Sequence, residues 1–284
     1  MAFNRLLKLA IGPAPPAQGV EFETLDIDFR VMRSVTFSEN TCELAIYNVT
    51  ETTRNDILIK GNNVILKAGY EDEVVSTIFI GNITEALSFK KGKDTVTKVT
   101  ASATRSENKP FEYTIFSASF GKTTKVSQVI NQIAQTLGLV VFGLENANIS
   151  MPNGFVHAGS ARAALAKCKK ILKANGADLY IDNNELVIYR TEGRTSSFQA
   201  AYLDSDSGLL SVGPLSESKA DEEEKKDKTT RLEFIALLNP AIKPNSVITI
   251  KSVAISGSYF VDMVEFYGNN YGGDFNCRGE VATA

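Results

Sequence analysis

Along its first hundred residues the chain alternates apolar and polar positions with a period of two, the mark of strands that bury one face. Leu25, Ile27, Phe29 and Val31 alternate with Asp26, Asp28 and Arg30, and Cys42, Leu44 and Ile46 repeat the pattern. The opening segment, with an apolar run broken by Lys8, predicts a first strand, and Pro13, Pro15 and Pro16 predict the turn after it. A short helical turn is expected from Thr50, then strands at 64–69 and 74–80. Residues 86–90 and 95–101 read as the arms of a hairpin across Lys91-Gly92-Lys93-Asp94. Many short strands at even spacing imply a closed barrel or sandwich, because closure removes edges that invite aggregation.

The period changes after about Asn108. Val126, Val129, Ile130, Ile133, Ala134 and Leu137 fall on one face of a helix, with Thr124 as its expected cap and Gly138 at its end. A second helix is expected over 160–173, with a stripe of Ala161, Ala164, Leu165, Cys168, Ile171 and Leu172 closed by Asn175-Gly176. Residues 178–182 and 185–189 then flank Asn183-Asn184, a two-residue hairpin turn. From about Thr191 the pattern returns to strands, at 232–238, 247–250, 259–267 and 274–281. Asn239-Pro240, Lys243-Pro244-Asn245 and Tyr271-Gly272-Gly273 punctuate them. Residues 216–230 hold almost no apolar side chain, which predicts a mobile charged loop. No repeat at a fixed short period is visible. The expected fold is therefore mainly β with an α+β module. Two small antiparallel β-barrels, at 1–107 and 191–284, flank a two-helix plus β-hairpin domain at 108–190.

Composition narrows the function classes. A chain of 284 residues suits two or three units, and 43% hydrophobic residues suffice for real cores. With 30 basic and 33 acidic residues the net charge is −3, against the basic face of a dedicated nucleic-acid binder. No run approaches the ~20 apolar residues of a membrane helix, so no membrane insertion is expected. The N-terminus lacks a clean cleavage pattern, which predicts synthesis in a cytoplasm without export. Cys42, Cys168 and Cys277 are odd in number, far apart and set among apolar neighbours, the pattern of reduced, buried thiols.

Candidate chemistry is sparse. Gly121-Lys122-Thr123 precedes a helix, but a phosphate-binding loop needs a glycine where Phe116 stands, so a turn is expected. His157 is the single histidine, in what reads as a loop before a helix; a nucleophilic triad would have to use it. Asp204-x-Asp206-x-Gly208 resembles the start of a calcium loop, but Leu215 occupies the place of its last acidic ligand. Glu71-Asp72-Glu73 reads as a solvated connection. Paired carboxylates for glycoside hydrolysis need only spatial proximity and stay open. The chain has no tryptophan to stack a sugar, though Tyr47, Tyr113, Tyr180 and Tyr202 are possible substitutes. No catalytic residue, metal ligand or cofactor is assigned. The most suggestive stretch is aromatic: Tyr259, Phe260, Phe266, Tyr267, Tyr271 and Phe275 read equally as barrel core and as an assembly interface.

Several segments together resemble a known family. Residues 37–48 followed by Thr52-Thr53-Arg54, then 64–70 and 78–83, are similar to the opening barrel of baseplate hub proteins of contractile-tailed phages, the late control protein D-like hubs. The middle helix with its hairpin, the segment 237–247 and the stretch 261–268 fit the same pattern, so the resemblance spans nearly the whole chain. It implies a non-enzymatic homotrimer whose subunits each supply two tube-like barrels to a pseudo-sixfold ring. Such a ring joins the tail tube protein to the central spike, contacts baseplate wedge or adaptor proteins, and leaves a channel for DNA. Assembly in the host cytoplasm and residence in the virion tail baseplate follow. Alternatives are a tail-tube or distal tail adaptor subunit, a peptidoglycan hydrolase and a glycan-binding module.

Overall fold

A computed structural model describes residues 4–13, 19–36, 40–71, 75–103, 114–191, 194, 199–215 and 231–283. The charged segment 216–230, the Asp72 and Glu73 positions and Tyr113 lie outside the described residues. An N-terminal β unit holds β1 (Arg5–Gly12), β2 (Val20–Phe22), β3 (Ile27–Ser34), β4 (Thr41–Tyr47), α1 (Glu51–Asp56), β5 (Asn63–Tyr70), β6 (Ser76–Lys91) and β7 (Asp94–Ser102). A middle module follows with β8 (Ile115–Phe120), α2 (Val126–Leu137), β9 (Val140–Phe142), β10 (Phe155–Ser160), α3 (Ala161–Lys173), β11 (Ala177–Asp182) and β12 (Glu185–Arg190). A C-terminal β unit holds β13 (Gln199–Leu203), β14 (Leu209–Pro214), β15 (Arg231–Leu237), β16 (Val247–Lys251), β17 (Ser256–Asn269) and β18 (Phe275–Thr283).

The alternation expected of β3 and β4 is realised: Ile27, Phe29, Val31, Cys42, Leu44 and Ile46 are buried, and Arg30, Met32, Thr41 and Glu43 are exposed. Thr50 caps α1 by accepting the Thr53 N–H. The apolar stripes of α2 and α3 face each other in a core of their own, closed by Leu179, Leu186 and Ile188 of the β11–β12 hairpin. Ser160 caps α3 by accepting the Ala163 N–H, and Gly138 ends α2 at φ 66°. Thr124 does not cap α2. Its backbone is bridged to Met151, and the first free N–H, that of Lys125, is taken by the Gln128 side chain at 3.0 Å.

The two β units share one core and one hydrogen-bonded sheet of 13 strands. Its path runs β14-β15-β18-β17-β3-β4-β7-β6-β5-β1-β2, with β16 beside the first part of β17 and β13 parallel to β16. The sheet is open at both ends, so the two closed antiparallel barrels expected from the strand spacing are not formed among the described residues. The cause is local. After Val261 a bulge turns β17 away from β16, and residues 263–269 pair with β3 of the other unit.

Both β units follow one plan. The orders β3-β4-β7-β6-β5-β1 and β14-β15-β18-β17-β16-β13 correspond strand for strand, in the same succession along the chain. β6 carries a bulge between Ile83 and Glu85 against β7, and β17 carries one between Val261 and Met263 against β18. Ile83 accepts from Gly61 N–H and donates to Asn62 O (both 2.8 Å); Val261 accepts from Asn245 N–H (2.7 Å) and donates to Ser246 O (2.9 Å). Gly61 and Asn245 hold the same left-handed position, at φ 96° and 62°. Tyr47 N–H bonds Asp26 O as Leu237 N–H bonds Gly208 O. The plan departs where β1 runs antiparallel to β5 and β13 parallel to β16, and β2 and α1 have no counterpart among the described residues.

Candidate assembly interface

The aromatic C-terminal stretch forms the joint between the β units. Phe275 meets Phe29 and Tyr70 edge-on, with ring centroids 5.6 and 5.5 Å apart, and the Arg5 guanidinium lies 5.4 Å from its centroid. Tyr70 OH donates to Phe275 O at 3.2 Å. Arg5 also holds the β17–β18 connection by donating to Gly273 O at 2.6 Å. Asn270 fixes the other side, accepting from Ile27 N–H and donating to Leu25 O. Of the six aromatics read as a candidate interface, Tyr259, Phe260, Phe266 and Phe275 are buried within the chain. Tyr267 is half-buried, and Tyr271 is 66% exposed with its hydroxyl donating to Thr24 O.

A row of charges crosses the same joint. Glu265, buried on β17, bonds Arg30 of β3 on one side and Arg278 of β18 on the other, and Arg278 reaches Glu233 of β15 at 3.6 Å. Glu280 sits directly opposite Glu233. Partial burial, then the Glu233 charge, raises its carboxyl above the ordinary range. Its ionised form therefore costs stability once the pH exceeds both the unfolded and folded values, and the cost disappears below both. Glu280→Gln is expected to stabilise by roughly 0.2–1 kcal/mol at pH 7 and by nothing in acid, checked by denaturant midpoints across that range.

The middle module docks through polar contacts. Arg33 of β3, 1% exposed, makes a two-pronged pair with Asp182 of β11, 4% exposed; its Nε lies 2.8 Å from Oδ1. Asn40 donates to the same oxygen at 2.9 Å. Asn183 accepts the Ile80 N–H, and Tyr180 OH donates to Pro244 O, each at 3.0 Å. Arg194 lies over the rings of Tyr189 and Phe260, bonding Asn245 and Asp262.

The histidine and the Asp204 motif singled out in the sequence serve local structure. His157 lies in β10, not in a loop; it is buried, packed with Phe116 and 3.0 Å from Ser160 O through Nε2. The β8–β10 pair escaped sequence reasoning because Gly159 and the apolar Ile115 and Val156 on its outer face blur the alternation. Asp204 Oδ1 accepts the N–H groups of Asp206 and Ser207, so this motif is a self-capped turn. Thr123 holds φ 75° in the turn before α2. Among the described residues no group of three His, Cys, Asp or Glu side chains is placed to hold a metal ion. All three thiols are buried and outside any disulfide, Cys277 Sγ donating to Leu237 O at 3.3 Å, and burial pushes Cys168 and Cys277 up to about 12. Thiol-directed alkylation of the native protein at pH 8 is therefore expected to be negligible until denaturant is added, as mass spectrometry would register.

Exposed apolar side chains lie on β8 and β10 (Ile115, Val156), on β9 (Val140, Phe142) and on the hairpin of β6 and β7. Its outer half carries Leu87, 60% exposed, and Phe89, over which Lys98 lies at 5.7 Å. On its other face a groove of about 580 Å³ separates Ala86, Ser88 and Thr97 from Arg54 and Asn55 of α1.

A family model described as Baseplate hub gp41 matches residues 14–281. No curated protein sequence matches the chain. Among solved structures, a tail protein from Neisseria meningitidis MC58 is similar at a TM-score of 0.68 and 11% identity, covering 99% of this chain and 97% of that one. The prophage MuSo2 43 kDa tail protein from Shewanella oneidensis follows at 0.65 and 10%, covering 98% and 97%. The E. coli c3393 protein, a type VI secretion component described as similar to the T4 tail proteins gp27 and gp5, gives 0.59 and 8%, covering 96% and 76%. At these identities the likenesses concern the fold.

Proposed function

Because the chain belongs to the baseplate hub gp41 family, and so is a structural protein of the bacteriophage tail baseplate, we propose that three copies form a ring in which six tube-like β units surround a channel. The observation that carries this reading is the duplicated strand plan. A subunit with two like units offers a sixfold tube a matching face while keeping threefold symmetry toward a central spike. The partners on this reading are the tail tube protein above, the spike below and baseplate wedge or adaptor proteins around the rim. Each unit stands for one tube-like barrel, left open in the single chain where its neighbour adds a strand. A net charge of −3 suits a wall past which DNA leaves without being held. The ring is assembled in the host cytoplasm before joining the virion tail.

Mass measurement of the native protein and imaging of assembled tails test this: three copies per ring are expected. Six copies would instead identify a tail-tube or distal adaptor subunit. The non-enzymatic reading is supported by the baseplate hub family match and by the tail proteins of similar fold. Clearing of peptidoglycan suspensions, abolished by one carboxylate substitution, would overturn it, and specific capture on a glycan array would favour a host-surface binding module.

A further inference from the structure

The single chain already contains one junction between unlike units, β17 of the C-terminal unit against β3 of the N-terminal unit, over Met263–Asn269 and Ser34–Asp28. In the shared plan, β17 corresponds to β6 and β3 to β14. The counterparts of this junction are therefore the outer half of β6 and the far edge of β14. Among the described residues both are vacant: β5 leaves β6 at Asn82, and β14 pairs only with β15. We infer that these two edges bind each other between copies, β6 of one chain adding to β14 of the next. This rests on the ring reading above and specifies its subunit contact.

Register follows residue by residue. Phe266 opposes Cys277, and Ser88 opposes Thr97, the counterpart position counted from the shared bulge. Val31 opposes Cys42, and Pro214 opposes Leu232, again counterparts. Since Val31 pairs with Phe266, Pro214 pairs with Ser88 of the neighbour; Leu215 then faces Leu87, Gly213 faces Phe89 and Val212 faces Lys90. The exposed Leu87 and Phe89 so gain an apolar partner and a glycine to lie across. Charge agrees with this placement. Lys91 takes the place of Asn269, which bonds Asp26 and Asp28 at the entry of β3; Asp204 and Asp206 stand at the entry of β14. The contact is head-to-tail, so it closes a ring instead of a twofold dimer. Leu215 N–H turns inward to Arg231 O, leaving positions 212 and 214 to face the neighbour; Pro214 has no donor, so this junction has one hydrogen bond fewer than its internal counterpart.

Disulfide trapping tests the register. Because Leu215 N–H points away from the neighbour, Leu215 and Leu87 form a narrow, non-hydrogen-bonded pair suited to a disulfide. Leu87→Cys mixed with Leu215→Cys, each as the full chain, is expected to give a covalent dimer under mild oxidation; neither gives one alone. The register-shifted mixture of Leu87→Cys with Pro214→Cys is expected to give at least tenfold less. One chain carrying both Leu87→Cys and Leu215→Cys should give a ladder ending in a closed ring. Lys91→Glu should weaken trapping, and Asp206→Lys in the second partner should restore it. Wild-type rings of unchanged size with no trapping at this pair would overturn the inference and leave the ring reading standing. A protein monomeric at every concentration and in assembled tails would overturn both.

Discussion

Asp182→Ala is expected to lower the unfolding free energy by about 3–5 kcal/mol, read as a lower denaturant midpoint at unchanged slope. The carboxylate is the charge that Arg33 contacts across the junction of module and β body, and both groups are almost without solvent. Removing it strands a guanidinium whose Nη1 already has no hydrogen-bond partner among the described residues. The same change frees the Asn40 amide. Replacing both ends, Arg33→Met with Asp182→Leu, is expected to recover most of the loss, because the desolvation cost of both charges goes with them. A loss below about 1 kcal/mol in the single variant would show that water reaches the pair.

Phe275→Ala ranks with it, at about 3–5 kcal/mol. Three groups close on this ring from three strands of the other β unit, the Phe29 and Tyr70 rings and the Arg5 cation, while the Tyr70 hydroxyl holds the backbone carbonyl of the same residue. The cavity left by truncation cannot collapse, since β17–β18 and β17–β3 pairing fix the backbone around it. Phe275→Leu should lose less than half as much. Calorimetry offers a second readout: if the aromatic joint couples the units, the alanine variant should split a single unfolding transition into two, and an unsplit transition would deny that coupling.

Local elements were legible in the sequence, and their assembly was not. The period of two located β3 and β4, the stripes located α2 and α3, and Asn183-Asn184 marked the β11–β12 turn, at φ 54° for Asn183. These signals lie within windows of a dozen residues. β9 was missed because it is three residues long and runs parallel to β12. The α2 cap was misplaced because a bridge to Met151 engages Thr124 first. Closure failed as an expectation because residues 259–267 read as one strand while β17 changes partners at its bulge, and a strand pattern does not encode the partner. The duplicated plan was hidden for a related reason. Counterparts share only burial, as Leu44 and Phe234 or Cys42 and Leu232 do, while the bulges and left-handed turns that define the plan reside in the backbone. The aromatic candidates divided because a strand that joins two units buries both of its faces.

The pairing of β3 with β17 also sets an order of events during synthesis. β3 leaves the ribosome well before β17, its second neighbour, is made. Until then one edge of β3 is open to any passing strand, and Arg33 waits for a carboxylate that arrives with β11. The helices and hairpin of the middle module contact one another over short separations and pack a core of their own. The module that separates the two strands along the chain is itself docked on β3 through Arg33, so this one strand carries contacts to all three units.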